Sequence, residues 1–263
     1  SSPSGGSTSP SVCNAKANWH TVLIGGLDKG GCGYYALDIT DPNQPKALWE
    51  FTHANLGYSF SDPIVTRRSD GKWVAIFSSG YQNVPGTCGK PGGDGRGHVF
   101  VVDAMTGALL DTISTSEGTS ASPSNLGRLN AWVDDAALNT ADAIYGADMQ
   151  GNVWRFDFDN KFGPSGTEAF KLATLFNGSG TAQPVTNKVE LAEIKNHRVV
   201  FVGTGSMLNT DDLLNTEIQS IYALVDDTTA ATGLGNPRSN VLIKPRTLAN
   251  ATSAAGTTSI RTV

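Results

Sequence analysis

An all-β fold, a β-propeller of four-stranded antiparallel blades, is what this sequence predicts, on three observations. Turn-forming residues are in excess, a strand–loop–strand unit recurs four times, and a second marker repeats at about 60 residues. The chain of 263 residues carries 30 glycines and 12 prolines, where average usage would place roughly 18 glycines. Glycine supplies positive φ and proline a fixed φ, so this composition favours many tight turns over long helices.

The chain reads in order as follows. Residues 1–18, beginning "SSPSGGSTSPS", form a flexible Ser/Gly/Pro linker without the apolar core of a signal peptide, and read as the junction to a longer precursor. The propeller occupies 19–263. Its first unit, about 20–52, holds "HTVLIGGLDKGGCGYYALDI" and "LWEFT" and lacks an obvious first strand. The second covers 63–114, the third 123–176 and the fourth 184–245, while the tail "TTSIRTV" reads as the start of a fifth. Pro63, Pro123 and Pro184 mark the unit starts about 60 residues apart, so the first strand of each unit is expected to follow its proline. In the third unit "DAIYGADMQGNVWRFDFD" runs strand, tight turn at Gly151-Asn152, strand. Each third strand closes on an aspartate: Asp38, Asp103, Asp157 and Asp226. The second strands are apolar nearly throughout, as strands covered on both faces should be. Tyr35, Phe100, Trp154, Phe156 and Tyr222 are accordingly expected between blades, in what would be a part of a larger propeller.

Charge and motifs exclude several functions. Only 16% of residues are charged and the net charge is −5, without a Lys/Arg cluster, which argues against nucleic-acid binding. No apolar run approaches the roughly 20 residues of a membrane-spanning helix. "GTGSML" at Gly203 lacks the third glycine of a dinucleotide site, and no G-x-S-x-G elbow occurs. His20, His53, His98 and His197 are scattered and read as surface or capping residues, not a catalytic set. The insert "QNVPGTCGKPGGDGRGH" is too long for a hairpin turn and reads either as a binding loop or as a tolerated insertion. Cys13, Cys32 and Cys88 match neither zinc-ligand spacing nor CxxC. In a propeller Cys32 and Cys88 fall in corresponding loops of adjacent units on one face. They can therefore approach to the Cα separation of about 4.4–6.8 Å that a disulfide needs. Cys13 is then the spare thiol; pairing of Cys13 with Cys32 is the alternative, either bond requires an oxidising compartment, and the cysteine count alone fits a reduced chain with three inert thiols as well.

The stretches "YGADMQGNVWRFDF", "WHTVLIGGLDKGGCGYYALDITDPNQPKALWEF", "LGYSFSDPIV", "KWVAIFSSGY" and "VVFVGTGSMLNTDDL…TEIQSIYALVD" carry a resemblance. Over roughly residues 19–227 the sequence resembles the C-terminal propeller of the PilC/PilY family, the type IV pilus tip-associated adhesins. The resemblance implies a non-enzymatic role in pilus biogenesis and extension, twitching motility and adhesion. It also implies an extracytoplasmic location at the pilus tip, outer membrane surface or periplasm of a Gram-negative bacterium. The partners it implies are minor pilins, a host or abiotic surface ligand, and an N-terminal domain of the same protein. Family members often place a calcium loop, Asp-x-Asp-x-Asp-Gly-x-x-Asp, before the "YAGD" strand. Here the equivalent is "DDAALNTAD", which keeps Asp134 and Asp142 but has Ala136 and Leu138 at two ligand positions. Calcium takes 6–8 oxygens. Asp134, Asn139, Thr140 and Asp142 are the candidate ligands, and weak or absent calcium binding is expected. The enzymatic alternative is a quinoprotein-like dehydrogenase built on similar blades; its vicinal Cys-Cys pair does not occur in this sequence.

Overall fold

A computed structural model describes residues 19–135, 137–163, 166–239, 249–252 and 259–262. The linker at 1–18 therefore lies outside the described residues.

The strands form four consecutive blades. Blade one contains β1 (Val22–Gly26), β2 (Tyr34–Asp38) and β3 (Lys46–Phe51). Blade two contains β4 (Ile64–Arg67), β5 (Trp73–Ser78), β6 (His98–Asp103) and β7 (Leu109–Ser114). Blade three contains β8 (Leu129–Asp135), β9 (Thr140–Ala147), β10 (Asn152–Phe156) and β11 (Ala169–Thr174). Blade four contains β12 (Glu190–Ile194), β13 (His197–Gly203) and β14 (Ile221–Asp226). Pairing within every blade is antiparallel and sequential, and one parallel bridge, Arg67↔Thr140, links blade two to blade three. Blade one supplies strands two to four of the repeat, and blade four strands one to three. The segment 240–248, which holds the end of the fourth unit, lies outside the described residues. In the tail, β16 (Ser259–Thr262) pairs with β15 (Ala249–Thr252) in a two-stranded antiparallel sheet.

Three apolar clusters hold the blades together, one at each seam. Tyr34 and Ala36 of blade one meet Ala75, Phe77, Phe100 and Val102 of blade two. Ile76, Val99 and Val101 of blade two meet Ile144, Trp154 and Phe156 of blade three. Tyr145, Val153 and Leu172 of blade three meet Val200, Val202, Tyr222 and Leu224 of blade four. Alternation explains the assignment. In β6 and β10, residues at odd distances before the closing aspartate look back at the preceding blade, and those at even distances look forward.

The same rule corrects two expectations. Tyr35 sits at an odd position of blade one, where no preceding blade stands among the described residues. It lies partly exposed over Gly25, while Tyr34 is buried and stacks on Phe77 at 3.8 Å. In blade four Tyr222, Leu224 and Asp226 all face back, so the turn-closing aspartate is Asp227, not Asp226. Asp227 Oδ1 accepts the Thr229 N–H at 2.9 Å, as Asp38 Oδ1 accepts the Thr40 N–H at 2.9 Å.

The proline markers also differ from expectation. Pro63 directly precedes β4, whereas Pro123 and Pro184 stand six residues before β8 and β12. In units three and four this segment bonds to the loop after the second strand, through Met149 N–H to Ser124 O (2.9 Å) and Gly205 N–H to Pro184 O (2.7 Å). Tyr58 fills that place in unit two, exchanging bonds with Tyr81 at 2.7 and 3.1 Å. Gly80 beside it has φ of +66°, and a Cβ there would lie 1.9 Å from Tyr58 O, so only glycine fits.

Candidate functional site

The loops between second and third strands gather on one face with the inter-blade connections. The glycine-rich insert of blade two is ordered across this face. Asn83 Nδ2 donates to Arg96 O (2.7 Å) and Asn55 O (3.3 Å), and Lys90 Nζ donates to His53 O (3.0 Å) and also bonds Leu56 O. On the other side, Ser124 N–H donates to Gly95 O at 2.8 Å. Cys88 in the insert is bonded to Cys32 of blade one, with Cα atoms 6.1 Å apart. The insert thus ties blade one to the connection entering blade three. His98, expected as a surface or capping residue, is buried at the insert's base at the start of β6, where its ring bonds Asp94 Oδ1 and Ser114 Oγ, both at 2.8 Å. Strand β6 starts at His98, and the folded insert covers it.

Lys29 of the first such loop reaches Asn209 of the fourth at 3.4 Å, so the face curls toward itself. The fourth loop carries a short 3-10 turn, Thr210–Leu214, with a capping box between Asn209 and Asp212. Two backbone N–H groups, of Leu208 and Asn209, hold the Asp212 carboxyl below the usual range.

The candidate calcium loop lies at the seam between blades three and four. Asp142 occupies a bulge in β9, because Ala141 pairs with Val133 and Ala143 with Trp132, leaving Asp142 unpaired. A bulge re-aims its side chain. Here the carboxylate meets Lys161 Nζ at 3.0 Å and the Arg198 guanidinium of β13. Asn139 points the other way: its Nδ2 reaches Val65 O at 3.3 Å, and its carbonyl accepts Arg67 N–H (3.0 Å) and Thr66 Oγ1–H (2.8 Å). Thr140 is paired in β9, against Asp135 and Arg67. The Asp134 side chain lies outside the described set. Asn139 and Asp142 therefore turn to different blades, and among the described residues their oxygens do not converge on a shared calcium ion. No group of three or more His, Cys, Asp or Glu side chains gathers as a metal site among the described residues.

A buried polar network continues from Asp142 along the seam. Tyr145 Oη donates to Asp226 Oδ2 at 2.6 Å, and Arg155 NH1 meets Asp226 Oδ1 at 2.5 Å. The Arg155 guanidinium packs over Phe170 (4.6 Å) and Phe162 (5.1 Å). A cleft of about 300 Å³ opens beside it, lined by Arg155, Asp157, Phe162, Glu168, Phe170 and Thr229 among others. Desolvation pushes the Tyr145 phenol up, and the neighbouring Asp226 adds to the effect. The sequence reading missed Arg155, Arg198 and Asp226 as a set. One signal was present: Arg155 alternates with Trp154 and Phe156 in a strand covered on both faces, where a cation needs a partner.

At the hairpin of blade three, Asp148 is fully buried and accepts four kinds of N–H. They are Gln150 N (3.0 Å), Asn152 N (2.9 Å), Asn152 Nδ2 (3.0 Å) and Trp154 Nε1 (3.0 Å). Burial pushes its carboxyl up to about 6 against the pull of these donors. The motif D-x-Q-G-N-x-W is thus a self-contained turn whose buried acid is paired within six residues.

Comparison with known proteins agrees with this architecture. The family profile described as the PilY1 beta-propeller domain matches residues 5–243. The chain is 31% identical over 244 residues to the type IV pilus biogenesis factor PilY1 of Pseudomonas aeruginosa, covering 83% of this chain and 20% of that protein. It is 30% identical over 235 residues to a PilY1 homolog of Xylella fastidiosa, covering 86% of this chain and 17% of the homolog. The chain therefore spans about a fifth of the length of these curated relatives. The crystal structure of the Pseudomonas aeruginosa PilY1 C-terminal domain superposes with a TM-score of 0.70 at 26% identity, over 92% of this chain and 54% of that one. Seams, turn-closing aspartates and sequence match together show that the chain belongs to the PilY1 β-propeller domain family.

Proposed function

We propose that this propeller serves a type IV pilus biogenesis factor as a non-enzymatic module, acting outside the cytoplasm at the pilus tip in pilus extension, twitching motility and adhesion. The observation that carries the reading is the family match across 5–243, to proteins named as pilus biogenesis factors. The loop face supports it physically. An insert held by a disulfide to blade one and by bonds to the connections on either side of blade two presents a fixed surface, which lowers the entropy lost on binding a partner. Minor pilins are the partners on the assembly side, and a host or abiotic surface is the partner for adhesion.

The test uses the full-length protein that contains this domain, expressed in a piliated bacterium lacking its own factor of this family. Restored surface pili and twitching, lost again when the propeller is deleted, are the expected result. Unchanged pilus number after propeller deletion overturns the assembly role. Normal attachment by bacteria that retain pili but lack the propeller overturns the adhesive one.

A further inference from the structure

We propose that side-chain cations replace a metal at the Asp134–Asp142 segment: Lys161 and Arg198 neutralise Asp142, and Arg198 does so from the neighbouring blade. The loop is then fastened across the seam permanently, without calcium.

Several observations converge on this reading. Asp142 stands at the bulge of β9, so its carboxylate leaves the strand's regular alternation and turns toward blade four. One oxygen meets Lys161 at 3.0 Å and the other meets Arg198. Arg198 is itself fixed in place: its guanidinium lies over Trp132 at 5.0 Å and over Phe162 at 5.4 Å, both rings of blade three. Stacking of this kind suits arginine and not lysine, because the planar group offers a face to each ring and an edge to the carboxylate. Two positive charges at one carboxylate supply what a divalent ion would supply, but by directional bonds from known atoms.

Calcium would have to displace both. It would also have to assemble 6–8 oxygens where Ala136 and Leu138 carry none and where Asn139 bonds to β4. The difference between the two fastenings is functional. A calcium loop responds to the medium, whereas the Asp142–Arg198 clamp couples blades three and four at any calcium level. The clamp also adjoins the Tyr145–Asp226–Arg155 network, so one seam carries charge contacts from end to end.

The experiment is thermal unfolding of the disulfide-intact chain in chelator and in about 10 mM calcium, above the range of the weakest extracellular calcium modules. Expected is a Tm unchanged within about 1 °C, and no heat of binding in a calcium titration; a ligand well above its Kd would raise Tm measurably. Arg198→Gln is expected to lower Tm by roughly 5 °C, since a half-buried pair loses one member. Asp142→Asn combined with Arg198→Gln is expected to be no less stable than the worse single variant, because the pair acts as a unit. A calcium-dependent rise of several degrees in the unaltered chain overturns the proposal. So does an unchanged Tm in Arg198→Gln, or full additivity in the double variant. Should Arg198→Gln fail to fold, the calcium titration of the unaltered chain, together with the Tm of Lys161→Gln, decides the question.

Discussion

Trp154→Phe isolates one hydrogen bond whose strength should depend on pH. The indole is 1% exposed, and its Nε1–H donates to Asp148 Oδ2 at 3.0 Å. Phenylalanine keeps most of the apolar contact with the blade two–three seam but offers no donor. Burial raises the folded-state pKa of Asp148 from the usual 3.8 to about 6. Because the folded value is the higher one, the contribution of Asp148 to stability is complete below about pH 4 and is lost as pH rises through about 6. A two-unit shift corresponds to about 3 kcal/mol across that window. Below it the acid is neutral, and the lost bond is worth about 0.5–1.5 kcal/mol; above it the carboxylate is charged, and the loss rises to about 1.5–3 kcal/mol. The smaller ring adds a constant term of roughly 1–2 kcal/mol at every pH. Urea unfolding of both proteins between about pH 4 and pH 7 should therefore give a destabilisation that grows by roughly 1 kcal/mol toward neutrality. The other carboxylates, such as Asp103 and Asp142, whose pKa values are lowered, lose stability on acidification, but they do so equally in both proteins and cancel in the difference. A destabilisation independent of pH would show that Asp148 does not titrate in this window. A total effect under about 0.5 kcal/mol, the range of ordinary surface substitutions, would show that Trp154 is not buried.

Three further outcomes are expected. Tyr34→Ala should cost roughly 3–5 kcal/mol, and Tyr35→Ala less than about 1 kcal/mol, because only the former fills a seam; equal losses by urea unfolding would refute the inward assignment of Tyr34 alone. Reducing the Cys32–Cys88 bond, which spans a sequence separation of 56, should cost about 4 kcal/mol in the chain-entropy model and lower Tm by roughly 8–15 °C. Peptide mapping without reduction should show Cys32 joined to Cys88, and a Cys32 peptide joined to Cys13 would contradict the structure.

The sequence by itself determined the blade repeat, because strands of period two, turn residues at the hairpins and closing aspartates are local signals that survive any arrangement of the blades. It determined the propeller together with the turn-rich composition: strands apolar on both faces must be covered on both, and where tight turns replace long helices the cover comes from the neighbouring blades. It did not determine which face of a terminal strand is covered. Tyr34 and Tyr35 are adjacent and chemically equal, and only the presence of blade two on one side distinguishes them. The doublet Asp226-Asp227 posed the same problem. One aspartate closes the turn and the other enters the seam, and the choice depends on the direction from which blade three approaches. The calcium loop shows the limit most clearly. Its spacing places Asn139 and Asp142 three residues apart, but a bulge and two neighbouring blades pull them to opposite sides. The partner of Asp142 in blade four, Arg198, lies 56 residues away in sequence, and only packing brings the two charges together.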